Sequence, residues 1–124
     1  MSDHPIRVVV FDDNKDLRDM FRMLVDAQPD MVCAAAHADL SQMMRDLDAA
    51  RPDVIVMDIQ MPGMNGIEGV AAIKVRWPEA RILMQTVFDD DEKVFSAIRA
   101  GASGYILKTT SVEEMAKAIR DVHA

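Results

Sequence analysis

Five polar side chains stand where apolar runs end: Asp12 and Asp13 after "IRVVVF", Asp58 closing "VIVMD", Thr86 closing "RILMQT" and Lys108 closing "GYILK". A carboxylate that closes a buried run can be a helix cap, a solvated strand end, a metal ligand or a nucleophile. Three carboxylates gathered in one crevice would repel one another by about 4 kcal/mol per pair at about 4 Å and an effective dielectric of about 20, so their company implies a cation. Carboxylates and carbonyls with no Cys or His at ligand spacing favour a hard ion, and Mg²⁺ suits an open site that keeps several waters. Beside it, the Lys108 ammonium and the Thr86 hydroxyl are donors suited to an incoming phosphoryl group. In that setting Asp58 reads as a carboxylate nucleophile.

Such residues need a scaffold that brings the ends of separate runs to one place. The runs at 6–11, 31–36, 53–58, 81–86 and 104–108 are short, largely apolar and mostly rich in β-branched side chains, as strands buried on both faces are. Between them Leu17, Met20, Phe21, Leu24 and Val25 recur at helical steps, and so do Leu40, Met43, Met44 and Leu47. A third helix is predicted over 65–77, stopped by Pro78. A fourth opens on Asp89, Asp90, Asp91 and Glu92, carboxylates favoured near the positive end of a helix dipole. Ser111 and Glu114 predict a capping box for a fifth, with Val112, Met115, Ile119 and Val122 facing inward. Five strands alternating with five helices imply right-handed crossovers and an α/β fold, a doubly wound parallel sheet with helices on both faces. The carboxyl ends of all its strands then share one edge, where ligands bind.

At 124 residues the chain has the length of one domain, so a single domain is predicted over 1–124. No apolar run approaches the roughly 20 residues needed to span a bilayer, and Met1-Ser2-Asp3-His4-Pro5 carries neither a basic stretch nor an apolar signal core. Cys33, inside "MVCAAA", reads as a small core residue in a reducing compartment, which makes a soluble, cytoplasmic protein the expectation. The net charge of −7 argues against direct nucleic-acid binding. His4, His37 and His123 are too scattered for a zinc site. The eleven methionines are expected to fill the core, Gly63, Gly66 and Gly101 to serve turns and a helix end, and Trp77 to cover the end of the third helix.

The sequence resembles a response-regulator receiver domain of bacterial two-component signalling. The resemblance rests on "FDDN" after the first strand, "VIVMDIQMPGMNG" around the central aspartate, "MQT" ending the fourth strand and "AGASGYILK" through the fifth. It implies a flavodoxin-like receiver fold with strand order 2-1-3-4-5. It implies Asp58 as phosphoacceptor, with Mg²⁺ bound directly by Asp13, Asp58 and the backbone carbonyl of Gln60, and by Asp12 through water. Lys108 would pair with one phosphoryl oxygen and Thr86 would hydrogen-bond another. The implied donor is a phosphohistidine on a sensor histidine kinase or a small molecule such as acetyl phosphate. The product is an acyl phosphate reset by slow hydrolysis, which makes the domain a signalling receiver and not an enzyme acting on other substrates. Thr86, drawn toward the phosphoryl group, would vacate space into which Tyr105 turns, reshaping the surface of the fourth helix, fifth strand and fifth helix.

The stretch "TVFDDDEKVFSAIRAGASGYILK" is similar to receivers that carry a LuxR-type helix-turn-helix output domain, which implies a transcription regulator as the parent protein. No output domain is expected within these residues, and a homodimer on phosphorylation is expected, through the first and fifth or the fourth and fifth helices. The alternative is a receiver that stands alone or acts without phosphorylation as a docking module. Thr109 follows Lys108 where many receivers have proline, so a cis peptide there would cost about 3 kcal/mol. Val87 and Phe88, bulkier than is usual after the threonine, are expected with Gln60 to bear on how water or donor reaches Asp58. A haloacid-dehalogenase-type phosphatase would need a second aspartate where Gln60 stands. A flavodoxin-like cofactor carrier would need a hydroxyl- and glycine-rich loop where Asp12 and Asp13 stand.

Overall fold

The computed structural model describes residues 4–61, 63, 65–86 and 91–124. Pro62 and Met64 of the central motif, Val87 and Phe88, and Asp89 and Asp90 at the expected start of the fourth helix lie outside the described residues. Strands and helices alternate without exception: β1 Ile6–Phe11, α1 Lys15–Asp26, β2 Met31–His37, α2 Met43–Ala50, β3 Val54–Asp58, α3 Gly66–Arg76, β4 Ile82–Thr86, α4 Asp91–Ala100, β5 Gly104–Leu107 and α5 Val112–His123. The sheet is parallel throughout, in the order β2-β1-β3-β4-β5, as the resemblance implied. Among the described residues no peptide bond is cis, the one between Lys108 and Thr109 included.

Strand alternation divides the core in two, because successive side chains leave a strand on opposite faces. Val9, Phe11, Ile55, Met57, Ile82 and Met84 face one cluster, which α2, α3 and α4 cover through Leu47, Ile73 and Ala97. Val8, Val10, Val54, Val56, Leu83 and Ile106 face the other, covered by α1 and α5 through Phe21, Val25, Met115 and Ile119. β1, β3 and β4 carry apolar side chains on both faces because helices lie on both. Cys33 is buried and free, as its sequence context suggested.

The helices differ from the expected pattern at their ends. Met20 is 47% exposed, so the α1 stripe narrows to Phe21 and Val25 with Leu17 and Leu24 half-buried beside them. Leu40 is buried but precedes α2. Asp39 accepts hydrogen bonds from the Ser41 amide at 2.9 Å and the Ser41 hydroxyl at 2.6 Å, a local turn that competes with helix. Ser111 accepts from the Glu114 amide at 3.2 Å but no reciprocal bond closes the box, and Val112 turns outward while Ala116 joins Met115 and Ile119 inside. The full capping box is at Asn65 and Glu68, at the start of α3. Trp77 caps the other end of α3, half-buried against the core, with the Arg76 guanidinium 4.9 Å above its ring.

Candidate functional site

Asp12 follows β1 with its amide bonded to the His37 carbonyl of β2 at 3.0 Å, so it leaves the sheet in register. Its Oδ1 accepts from the Asn14 amide at 2.9 Å, while the Asn14 side chain accepts from the Leu17 amide and caps α1. Arg18 reaches back from α1 to donate to the Asp12 carbonyl at 2.8 Å. The start of the helix therefore holds Asp12 at two points, its carboxylate through the Asn14 amide and its backbone carbonyl through Arg18. The sequence marks Asn14 only as the end of "FDDN"; its positioning of Asp12 emerges from these bonds.

Asp58 ends β3, and the chain then turns so that the Gly66 amide bonds the Ile59 carbonyl at 2.8 Å. A Cβ on Gly66 would fall 2.0 Å from the Asp58 carbonyl oxygen. Gly66 thus serves a close approach rather than a turn: only glycine lets α3 begin against the backbone of the central aspartate. Gly63 and Gly101, at φ of 78° and 120°, are the backbone devices that the sequence suggested.

The polar groups gather at the carboxyl edge. Lys108 Nζ lies 2.9 Å from Asp58 Oδ2 and 3.0 Å from Asp12 Oδ2, with all three side chains at most 10% exposed. The Gln60 amide donates to Asp58 Oδ1 at 3.3 Å, so both oxygens of that carboxylate are held. Asp13 is exposed, yet Asp12, Asp13 and Asp58 each offer an oxygen within 4.8 Å of the others. Three carboxylates outnumber one ammonium, and an all-oxygen donor set is the chemistry of a hard cation, so the cluster could hold a metal ion. Beside it opens a groove of about 540 Å³ lined by Asp13, Gln60, Asn65 and Lys93 among others, wide enough to admit a small phosphate donor.

Burial and charge oppose each other here. Burial pushes the Asp58 carboxyl above its usual 3.8 and the Asp12 charge adds to that, while the Lys108 hydrogen bond and charge pull it back without winning. For Lys108, burial pulls the ammonium down but is outweighed by hydrogen bonds to Asp58 and Asp12, so it is held above 10.5. The lysine is a fixed positive charge, and Asp58 is a carboxylate that still lacks sufficient compensation.

Thr86 ends β4, 2% exposed, and its carbonyl accepts from the Lys108 amide at 2.8 Å. Register places it on the face shared with Met84 and with Tyr105 of β5, which pairs Met84 and is 44% exposed. Asp12, Asp58 and Lys108 instead continue the alternation of Val10, Val56 and Ile106 toward α1 and α5. The structure brings Asp12, Asp13, Asp58, Gln60 and Lys108 together and sets Thr86 and Tyr105 beside them on the opposite face of the sheet.

Known proteins share this fold. The response regulator receiver domain family matches residues 8–120. The "uncharacterized transcriptional regulatory protein YxjL" of Bacillus subtilis is 42% identical over 120 residues, 97% of this chain and 55% of its own length. The oxygen regulatory protein NreC of Staphylococcus haemolyticus is 36% identical over 119 residues, 95% of this chain and 55% of its own. The chain therefore spans about half the length of these curated relatives. Among solved structures, a LuxR-family two-component response regulator from Aurantimonas sp. SI85-9A1 superposes with a TM-score of 0.91 at 32% identity, covering 96% of this chain and 85% of that one. The receiver domain of the putative response regulator NarL from Mycobacterium tuberculosis does so with 0.91 at 28% identity over 97% of both chains. With a family match along nearly its whole length, this chain belongs to the response-regulator receiver domains.

Proposed function

We propose that Asp58 accepts a phosphoryl group, in a Mg²⁺-dependent transfer from a phosphohistidine of a sensor histidine kinase or from a small donor such as acetyl phosphate. The observation that carries this reading is the Lys108 ammonium held between Asp58 and Asp12 at 2.9 and 3.0 Å, on the edge where parallel sheets bind ligands. Asp13, Asp58 and the Gln60 carbonyl are the direct ligands for Mg²⁺ in this reading, with Asp12 acting through water. When bound, Mg²⁺ would supply the positive charge that the carboxylates and the incoming phosphoryl oxygens require.

The residues of the chain do the rest. Lys108 on Oδ2 and the Gln60 amide on Oδ1 fix the rotation of Asp58, so little order has to be gained at the moment of attack. An Asp58 oxygen attacks phosphorus, the bond from phosphorus to the donor's imidazole nitrogen or acyl oxygen breaks, and the leaving group keeps the electron pair. Lys108 then follows the negative charge onto a phosphoryl oxygen while the Thr86 hydroxyl donates to another. Attack of water at phosphorus restores the carboxylate and releases inorganic phosphate.

The acyl phosphate would act as a switch through Thr86 and Tyr105, the tyrosine turning inward as the threonine moves to the phosphoryl group. Reversing a 1:99 equilibrium takes about 5.5 kcal/mol of preference for the active state, within reach of a few charge-assisted contacts in a site this buried. Similarity to a transcriptional regulatory protein of Bacillus subtilis and to a LuxR-family DNA-binding response regulator of Staphylococcus aureus supports a transcriptional role exerted through a DNA-binding domain of the parent protein. Among the described residues no helix is long and apolar enough to cross a membrane.

The test is intact mass after incubation with acetyl phosphate, with Mg²⁺ and with chelator, on the wild type and on Asp58→Asn. One added phosphoryl group that needs both Mg²⁺ and Asp58 is the expected result. No addition from acetyl phosphate or from a panel of phosphorylated histidine kinases would overturn the assignment in favour of a docking module.

A further inference from the structure

Gln85 is a polar residue in the middle of the sheet, next to Asp58 in the register of β3 and β4 and next to Ile106 in that of β4 and β5. It follows Leu83 onto the α1 and α5 face, the face of Asp58 and Lys108. Lys108 follows β5 and its ammonium reaches Asp58 on β3, two strand spacings of about 4.8 Å away, so its aliphatic stem must cross β4 at its end, where Gln85 sits.

Two hydrogen-bonding groups are left over there. Gln85 Oε1 is buried and accepts no hydrogen bond among the described residues. Lys108 carries three N–H donors and uses two, on Asp12 and Asp58, with no third acceptor among the described residues. Both residues line one cavity of about 60 Å³ under α1 and α5, together with Phe21, Ile106 and Thr110. That is room for water, and a water in it could accept from the ammonium and donate to the amide oxygen at once.

We propose that Gln85 is a positioning residue for phosphoryl transfer: its buried amide oxygen, through water in the cavity it shares with Lys108, fixes the third N–H of the ammonium and hence the direction in which Lys108 meets the phosphoryl group. The proposal rests on the reading of Asp58 and Lys108 given above. It assigns the chemistry of the site a residue that touches neither phosphate nor metal, on the strand that also carries Thr86.

The experiment follows phosphoryl addition from acetyl phosphate by intact mass over time, at fixed Mg²⁺, for the wild type, Gln85→Leu, Lys108→Ala and the double variant, with a thermal midpoint for each. Gln85→Met, close in volume, is run alongside in case the branched side chain is not accommodated. Gln85→Leu is expected to slow addition about fivefold, the worth of one typical net hydrogen bond, while leaving the midpoint unchanged or raising it, since the amide oxygen and the water it holds are replaced together by an apolar group. In the Lys108→Ala background it is expected to slow nothing further, because the group it positions is gone. An unchanged rate, equal slowing in both backgrounds, or slowing that tracks a loss of thermal stability would each overturn the positioning role. A wild type that takes up no phosphoryl group would instead overturn the underlying reading, and the role of Gln85 with it.

Discussion

At Asp58 the protein has buried a carboxylate more deeply than one lysine can compensate, and the raised carboxyl is the result. Lys108 stands in the opposite position, an ammonium with two carboxylates, held above 10.5 despite its burial. A lysine raised in the folded state contributes stability that is fully present below its unfolded value of about 10.5 and lost as pH rises through the folded one. Lys108→Ala is therefore expected to cost about 3 kcal/mol in urea unfolding near neutral pH with chelator present, because it leaves buried carboxylates unpaired. The difference from the wild type is expected to shrink above pH 10.5. Millimolar Mg²⁺ is expected to return part of the loss at neutral pH by replacing the missing charge. The carboxylates and the lysine were legible in the sequence because each interrupts an apolar run at a strand end. Gln85 was not, because one amide inside "ILMQT" says nothing until the register sets it between Asp58 and Ile106.

The elements deliver these side chains because their termini are held. Asn65 and Glu68 close a capping box that starts α3, and Gly66 lets that start press against the Asp58 carbonyl. Gly66→Ala places a methyl group where a backbone oxygen already lies, so the helix or the strand end must move. An expected loss of about 3 kcal/mol or more in urea unfolding, accompanied by slower phosphoryl addition, would report that movement, and a variant with wild-type stability would exclude the contact. The strands were readable to within one residue because β-branched runs leave little choice. Asp53, expected at the head of β3, instead accepts a 2.8 Å bond from the Arg7 amide at its outer edge. Helix starts were harder. The stripe that includes Leu40 looks continuous in sequence, yet the Asp39 turn delays α2 to Met43, a local competition that apolar periodicity does not register.

For the molecule as a whole, sheet and helices leave an uneven exterior. Phe95 and Ile98, one turn apart on α4, are 67% and 45% exposed, and Tyr105 of β5 is 44% exposed on the sheet face that α4 covers. If phosphorylation turns Tyr105 inward and this surface then pairs with a second copy, sedimentation should show a monomer before and a dimer after loading with a phosphoryl mimic, and Phe95→Ser should weaken the dimer severalfold. A monomer in both conditions would exclude this assembly. The doubly wound architecture was legible from alternation, since five buried runs separated by five helical segments admit few arrangements; the strand order came from the family likeness. The division of the core into two faces has a further consequence. Gln85 and Thr86 are consecutive in the chain but look to opposite sides of the sheet, one toward Lys108 and the other toward Tyr105. With Gln85 positioning Lys108 and Thr86 answering to Tyr105, as proposed, how quickly the site is charged and what the charged state displays would be governed by separate sets of neighbours, so a lineage could retune its clock without rewriting its message.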